Sequence, residues 1–253
     1  MQKGFISLFF LFFSTIILAQ DTSSKQLTIS GNLGVTNNGI SIVPTFSLGQ
    51  PAYNVSYSIS KGGKWSIAPD LRLTFDGTKG GGMLWFRYKL KSEGRFKVNI
   101  GVHPAFNFSI RKITEKGKTW DITQSRRFLG AEFAPSFTVN KHFSLGMYYL
   151  RGKGLQDDGP NNMHYITFNT GITGIPLSNG LKLGLTPQVY YLKVDKEDGF
   201  YFTANLLLTK DKSPFAFMST MNKEIRTNIA GSKNFDWNLT LLYMFNRKYM
   251  KVS

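Results

Sequence analysis

The sequence predicts an all-β fold, a single-chain transmembrane antiparallel up-and-down β-barrel. Three observations predict it: long segments that alternate every second residue, a small or polar opposite phase, and aromatic residues at the ends of the apolar runs. A strand that crosses a bilayer needs about 9–11 residues, whereas strands of soluble sandwiches usually have about 5–6. A membrane barrel also holds its polar phase in a wet lumen. A secreted soluble barrel or sandwich is the alternative interpretation.

The alternation is clearest in the segment "RFKVNIGVHPAFNFSI" at residues 95–110. One phase carries the apolar residues Phe96, Val98, Ile100, Val102, Pro104, Phe106, Phe108 and Ile110. The segments "WSIAPDLRLTF", "GLKLGLTPQVYYL", "FYFTANLLL" and "FDWNLTLLYMF" repeat this pattern. Because a strand places alternate residues on opposite faces, each segment is expected to have one lipid-facing side.

The N-terminus predicts export. Residues 1–19 have a positive start at Lys3 and an apolar run that ends at Ala19, which is typical of a cleaved secretory signal peptide. The expected division is therefore a signal peptide at 1–19 and an outer-membrane β-barrel domain at 20–253. A single-pass membrane anchor is the alternative.

Turn lengths predict the orientation and the number of strands. Short turns such as 91–94 and 140–141 alternate with longer polar connections, and bacterial barrels have short periplasmic turns and longer outer loops. Thirteen candidate segments are found, but single-chain bacterial barrels have even strand numbers. Twelve strands are favoured, with segment 26–36 packed in or under the barrel or fused with segment 39–49. Fourteen strands are the second choice.

Five of the nine prolines lie inside alternating segments: Pro44, Pro69, Pro104, Pro135 and Pro187. Proline has no N–H for a sheet ladder, and a closed barrel has no edge strand to accept it. All five are in the apolar phase and are expected in the periplasmic half. They predict lipid-facing rings at ladder breaks, where the strands bulge or kink.

Charge and composition exclude several classes of function. Lys plus Arg exceed Asp plus Glu by 31 − 15 = 16, but export argues against a nucleic-acid partner. The chain has no cysteine, and its three histidines show no ligand spacing, so neither a metal nor another cofactor is expected.

Basic residues converge at one turn. The inward phase of segment 84–98 carries Arg87, Lys89, Lys91, Arg95 and Lys97, which predicts a basic wall near the periplasmic mouth. The same phase of neighbouring strands contributes Asp70, Arg72, His103 and Glu132 as further pore-lining or binding residues. The alternative is that the basic groups pair with Asp70 and Glu132 and fill a closed interior.

Several stretches resemble small outer-membrane β-barrel proteins of Bacteroidota: "PTFSLGQPA", "HPAFNF", "RRFLGAEFAPSF" and "PQVYYLKVDKEDGFYFTANLLL". The resemblance covers nearly the whole mature chain and implies a porin-like barrel of the bacterial outer membrane, without a defined activity. The chain departs from the usual aromatic ending, because "NRKYMKVS" follows Phe245.

Three functional classes follow. The first is a porin-like channel whose basic lumen favours anions. The second is a non-channel structural or accessory subunit of an outer-membrane complex. The third is an outer-membrane enzyme, for which only Asp157, Asp158 and His164 form an acid–histidine grouping, so no catalytic residue is assigned and no enzyme is predicted.

The expected partners are outer-membrane lipids, lipopolysaccharide, the barrel-assembly machinery and other outer-membrane proteins. Basic outer loops are expected to contact lipopolysaccharide phosphates through Lys79, Lys112, Lys116, Lys118, Arg126 and Arg127.

Overall fold

The computed structural model describes residues 26–41, 43–157 and 159–250, so the expected signal peptide lies outside the described residues. Twelve antiparallel strands form one closed barrel. They are β1 (Gln26–Thr36), β2 (Ala52–Lys61), β3 (Trp65–Thr74), β4 (Lys79–Lys91), β5 (Phe96–Glu115), β6 (Lys118–Thr138), β7 (Phe143–Gly154), β8 (Asn162–Pro176), β9 (Leu181–Val194), β10 (Glu197–Lys210), β11 (Phe215–Thr227) and β12 (Phe235–Met250). No helix among the described residues is long and apolar enough to span a membrane.

Each strand pairs with its neighbours in the chain, and β1 closes the barrel by pairing with β12 along its whole length, from Gln26–Met250 to Thr36–Thr240. The prediction of twelve strands is confirmed. The expected place of segment 26–36 was wrong, because this segment is a full barrel strand with partners on both sides.

Segment 39–49 is the surplus thirteenth candidate, and it is not a strand. Its central residues form a 3₁₀ turn at Pro44–Phe46. Its ends approach each other, since Leu48 N–H donates to the Gly39 carbonyl at 3.0 Å. Gly39 has a φ of +57°, which favours glycine and lets the chain reverse there. Pro44 is therefore buried in a loop and is not a lipid-facing residue of a strand.

The two phases of the strands face different surroundings, as the alternation predicted. The apolar phase covers the outside of the barrel with exposed side chains such as Leu71, Val102, Phe168, Val189 and Trp237. The opposite phase faces the lumen and contains buried polar residues such as Thr203, Asn222 and Asn238. An apolar outside and a polar inside are typical of membrane-spanning barrels.

The barrel has two distinct ends. The terminal end carries the start of β1, the end of β12 and the turns after β2, β4, β6, β8 and β10. The loop end carries the β1–β2 loop and the long β5–β6 hairpin, whose strands have 20 and 21 residues and extend past their neighbours. All the terminal-end turns are short, whereas the longest connections and the extended hairpin lie at the loop end, and bacterial barrels have short periplasmic turns and longer outer loops, so the terminal end is expected to face the periplasm.

Four prolines interrupt the ladder, but they do so without a bulge. At Pro104, for example, the β4–β5 pairing stops after Met83–Ala105 and resumes at Phe86–Val102 in the same register, while the other side of β5 stays paired. One-sided interruptions of the same kind occur at Pro69, Pro135 and Pro187. The predicted breaks are confirmed. The predicted bulges were wrong, because the missing N–H removes pairing on one side and leaves the strand in register.

Replacing Pro104 by valine is expected to stabilise the barrel, because the new N–H faces a β4 strand that is already in register. One restored hydrogen bond is expected to raise the free energy of unfolding by about 0.5–1.5 kcal/mol. Urea unfolding in micelles measures this change. Pro160→Val, in the β7–β8 loop, is the control. It also increases the entropy of the unfolded chain, but it lies outside the strands and restores no ladder hydrogen bond. An equal effect of both substitutions would contradict the explanation.

Candidate functional site

The β1–β2 loop enters the lumen and is fixed there by side-chain hydrogen bonds. Asp236 on β12 accepts from Asn38 Nδ2 at 2.6 Å and from Ser47 Oγ at 2.7 Å. Thr45 Oγ1 and the Tyr190 hydroxyl are 2.7 Å apart and share a hydrogen bond. The loop is therefore held against two separate parts of the inner wall.

An aromatic layer fills the lumen beside this loop. The rings of Tyr148, Tyr165, Tyr190 and Tyr201 follow one another across β7 to β10, with centroid separations of 6.1, 5.1 and 4.8 Å. Val43 of the loop packs into the same cluster and is only 2% exposed. These buried side chains occupy part of the lumen.

A partly buried ion pair adjoins the layer at its β7 edge. Arg87 Nε donates to Glu132 Oε1 at 2.5 Å, and the Tyr148 hydroxyl donates to Glu132 Oε2 at 2.8 Å. Arg87 also lies over the Trp85 ring, 4.0 Å from its centroid. The pair joins β4 to β6 across β5, where Gly101 stands between the two partners.

Gly101 is required at this position because of the space that the pair occupies. A Cβ atom there would lie 2.7 Å from Glu132 Oε1 and 3.0 Å from Arg87 Cγ. The glycine lets two side chains from non-adjacent strands meet.

A cavity of about 550 Å³ lies at the loop end, above the aromatic layer. Its inner wall is made of small residues in the inward phase, including Gly81, Ala105, Gly130 and Gly152. At Gly130 a Cβ atom would lie 2.1 Å from the ring of His103, so the imidazole occupies the place of the missing side chain. These small residues on four neighbouring strands leave the space that forms the cavity.

Among the charged residues that line this cavity, cations outnumber carboxylates. Arg72, Lys79, Arg111 and Arg126 line it, whereas Asp70 is the one lining residue with a carboxylate among the described residues. Asp70 forms an ion pair with Arg72 at 3.2 Å. Lys79 Nζ donates to the Leu48 carbonyl of the inserted loop at 3.2 Å.

His103 adds an unsatisfied polar atom to the lining. Its ring packs against the tilted ring of Trp85 at a centroid distance of 3.9 Å, and the residue is 7% exposed. Its Nδ1 has no hydrogen-bond partner among the described residues. A buried nitrogen of this kind needs a partner, and water or a solute in the cavity can supply one.

The predicted basic wall is only partly assembled. Lys89 and Lys97 keep the inward phase, paired with Asn99 and Ser136, and both are exposed at the terminal end. Arg95 lies exposed in the β4–β5 turn. Arg87 is paired with Glu132, which is the outcome that the alternative interpretation described.

The inward position expected for Lys91 needs correction. A register shift between Lys89 and Lys91 pairs Lys91 with Val98, a residue of the lipid-facing phase. Its ammonium lies 5.7 Å from the centroid of Phe96, an exposed ring on the outer face. The extra residue of this bulge could not be read from the alternation.

The lining residues Arg111 and Arg126 were missed as lumen residues. Both continue inward phases that the sequence already indicated, from Ser109 on β5 and from Phe128 on β6. Extending each phase past the membrane segment would have found them. Lys79 and Arg126, which were expected to contact lipopolysaccharide, line the cavity instead.

The acid–histidine grouping does not assemble within the described residues. His164 lies on the outer face, where its ring nitrogens contact the Tyr149 hydroxyl at 2.9 Å and the Arg151 guanidinium. Asp158 lies outside the described residues.

Solved structures share this fold at very low sequence identity. The KdgM porin superposes with a TM-score of 0.51 and 11% identity, covering 85% of this chain and 99% of its own. An outer-membrane channel from Pseudomonas putida F1 gives 0.50 and 7%, with coverage of 87% and 94%. The NanC porin gives 0.49 and 13%, with coverage of 89% and 100%. No protein-family model matches the sequence, and no curated protein matches it.

The fold is that of bacterial outer-membrane β-barrels. The apolar belt of exposed side chains argues for the same location independently, because an outward surface of this kind is stable only against lipid.

Glu132→Gln is expected to destabilise the barrel, because the partly exposed Arg87 loses the buried carboxylate that pairs with it. The expected loss is about 1–2 kcal/mol in the free energy of unfolding. Urea unfolding in micelles measures it. Asp211→Asn is the matched control, since the Lys182–Asp211 pair has the same 2.5 Å separation but lies exposed. Its loss is expected to stay below about 1 kcal/mol. Similar losses in both variants would contradict the role given to burial.

Proposed function

We propose that this protein is an outer-membrane channel whose basic vestibule, the cavity at the loop end, favours anions. The observation that carries the proposal is the cavity at the loop end, where Arg72, Lys79 and Arg111 line the wall and Asp70 is the one lining carboxylate among the described residues. A narrow opening lined by one sign of charge raises the local concentration of the opposite ion.

The vestibule cations act at a different place from the basic wall that the sequence predicted. Arg87 is neutralised by Glu132, and Lys91 lies on the outer face. Lys89, Arg95 and Lys97 are exposed at the terminal mouth, where water and salt screen them. The selectivity is therefore assigned mainly to the vestibule.

The inserted β1–β2 loop is proposed as the constriction of the channel. Its ends are already joined by the Leu48–Gly39 hydrogen bond, so the loop can be shortened without separating β1 from β2. Its hydrogen bonds to Asp236 and Tyr190 and the packing of Val43 into the aromatic cluster hold it in the lumen.

A second candidate, a non-channel structural or accessory subunit, is favoured by the filled aromatic layer. Tyr165 and Trp85 are only 2% and 3% exposed at that level. Under this alternative the protein works through partners in the membrane and conducts no ions. No catalytic role is proposed.

Planar-bilayer recordings test the proposal. The refolded mature chain is expected to conduct and to show anion preference in a salt gradient, more strongly at low salt because screening is weaker. Arg72→Gln with Arg111→Gln is expected to move the reversal potential toward neutral. The matched control is Lys89→Gln with Lys97→Gln, which is expected to have the smaller effect.

Removing residues 40–47 and joining Gly39 to Leu48 through two glycines is expected to increase the conductance. If neither the native chain nor this variant conducts, the channel proposal fails and the accessory subunit is favoured. Cation preference in the native chain would overturn the role of the vestibule.

A further inference from the structure

A row of basic side chains crosses the outer face of three neighbouring strands near the loop end. Arg151 on β7 pairs in register with His164 on β8, which pairs with Lys193 on β9. All three belong to the lipid-facing phase, because the next residues along the strands, Gly152, Tyr165 and Leu192, are buried inside. Neighbouring strands lie about 4.8 Å apart, so the row is about 10 Å wide.

The position of this row along the barrel axis follows from the outward residues nearer the middle of the barrel. Tyr149, Ile166 and Tyr191 form the next outward row toward the middle of the barrel. The exposed residues Phe168 and Val189 follow still deeper on the same face. Tyrosine marks the boundary of the hydrocarbon in outer-membrane barrels, so the basic row lies at the level of lipid head groups.

Arg151 is held in one orientation. One of its terminal nitrogens donates to Asn162 Oδ1 at 2.9 Å and the other contacts the His164 ring, which is itself bonded to the Tyr149 hydroxyl. A fixed guanidinium loses little entropy when it binds a phosphate, and it presents further N–H donors. Lys153 stands two residues later on the same face and is exposed.

Nearby carboxylates are already engaged by the protein. Asp198, opposite Lys193, accepts a hydrogen bond from the Tyr191 hydroxyl at 3.0 Å. Asp195 accepts from the backbone N–H groups of Asn161 and Asn162. These neutral donors orient the two carboxylates, and the three cations Arg151, Lys153 and Lys193 exceed them by one positive charge.

We infer that Arg151 and Lys193 of this row, together with the neighbouring Lys153, bind the phosphate of a phosphorylated lipid in the outer leaflet, while His164 orients Arg151. The position above a tyrosine row selects a lipid over a soluble anion, because a lipid phosphate is held at this depth by its acyl chains. The inference depends on the loop end facing the cell exterior, and it does not depend on conductance.

The test uses the refolded full barrel in neutral-detergent micelles. Bisphosphorylated lipid A is titrated in, and the midpoint of the heat-induced gel shift is followed. The midpoint is expected to rise with the phosphorylated lipid and to stay unchanged with dephosphorylated lipid A or with inorganic phosphate. Arg151→Gln with Lys193→Gln is expected to weaken the apparent affinity about 10- to 100-fold.

Two further variants keep the test decisive. Lys89→Gln with Lys97→Gln removes the same charge at the terminal end and is expected to leave the affinity unchanged. Lys153→Gln with Lys193→Gln leaves Arg151 and its contacts intact, so it serves if the Arg151 variant folds poorly. Equal stabilisation by dephosphorylated lipid, an equal response to inorganic phosphate, or an equal loss in the terminal-end control would overturn the inference.

Discussion

The constraint on which this structure depends is that a backbone in hydrocarbon has no water to bond with. Every strand must therefore pair on both sides, and the pairing of β1 with β12 removes the last two edges. This closure fixes a lumen twelve strands around, with one face of every strand turned to lipid. Pro104 and its counterparts are tolerated because each loses pairing on one side only and the register survives.

A lumen of fixed width has to be filled or left wet, and this barrel does both in different parts. The tyrosine cluster, Val43 of the inserted loop and the Arg87–Glu132 pair fill one part. Along β4 to β7 at the loop end the inward residues include glycine and alanine, and the cavity opens there. Small residues thus determine where the lumen stays open.

The sequence predicted the features that depend on period-two alternation: the barrel, its twelve strands, the lipid-facing phase and the proline breaks. It failed where alternation was misleading or locally broken. Segment 39–49 alternates as a strand does, yet it lies inside the lumen, because Gly39 reverses the chain and Asp236 fixes the loop. A single extra residue before Lys91 turned that side chain outward. The pairing of Arg87 with Glu132 needed strand neighbours that no local pattern supplies.

The same alternation also places cations on both faces of the wall at the loop end. Arg111 and Arg126 face the cavity, whereas Arg151 and Lys193 face outward. Cations of one sign on both faces would repel across a thin, poorly polarisable wall unless counter-charges approach from each side. Under the proposed lipid site, lipid phosphates neutralise the outer set, whereas charges for the inner set have to come from the protein or from ions in the lumen. Under the proposed channel function, the field that acts on a solute therefore depends on the inward residues, although the excess of 16 positive charges is spread over the whole chain.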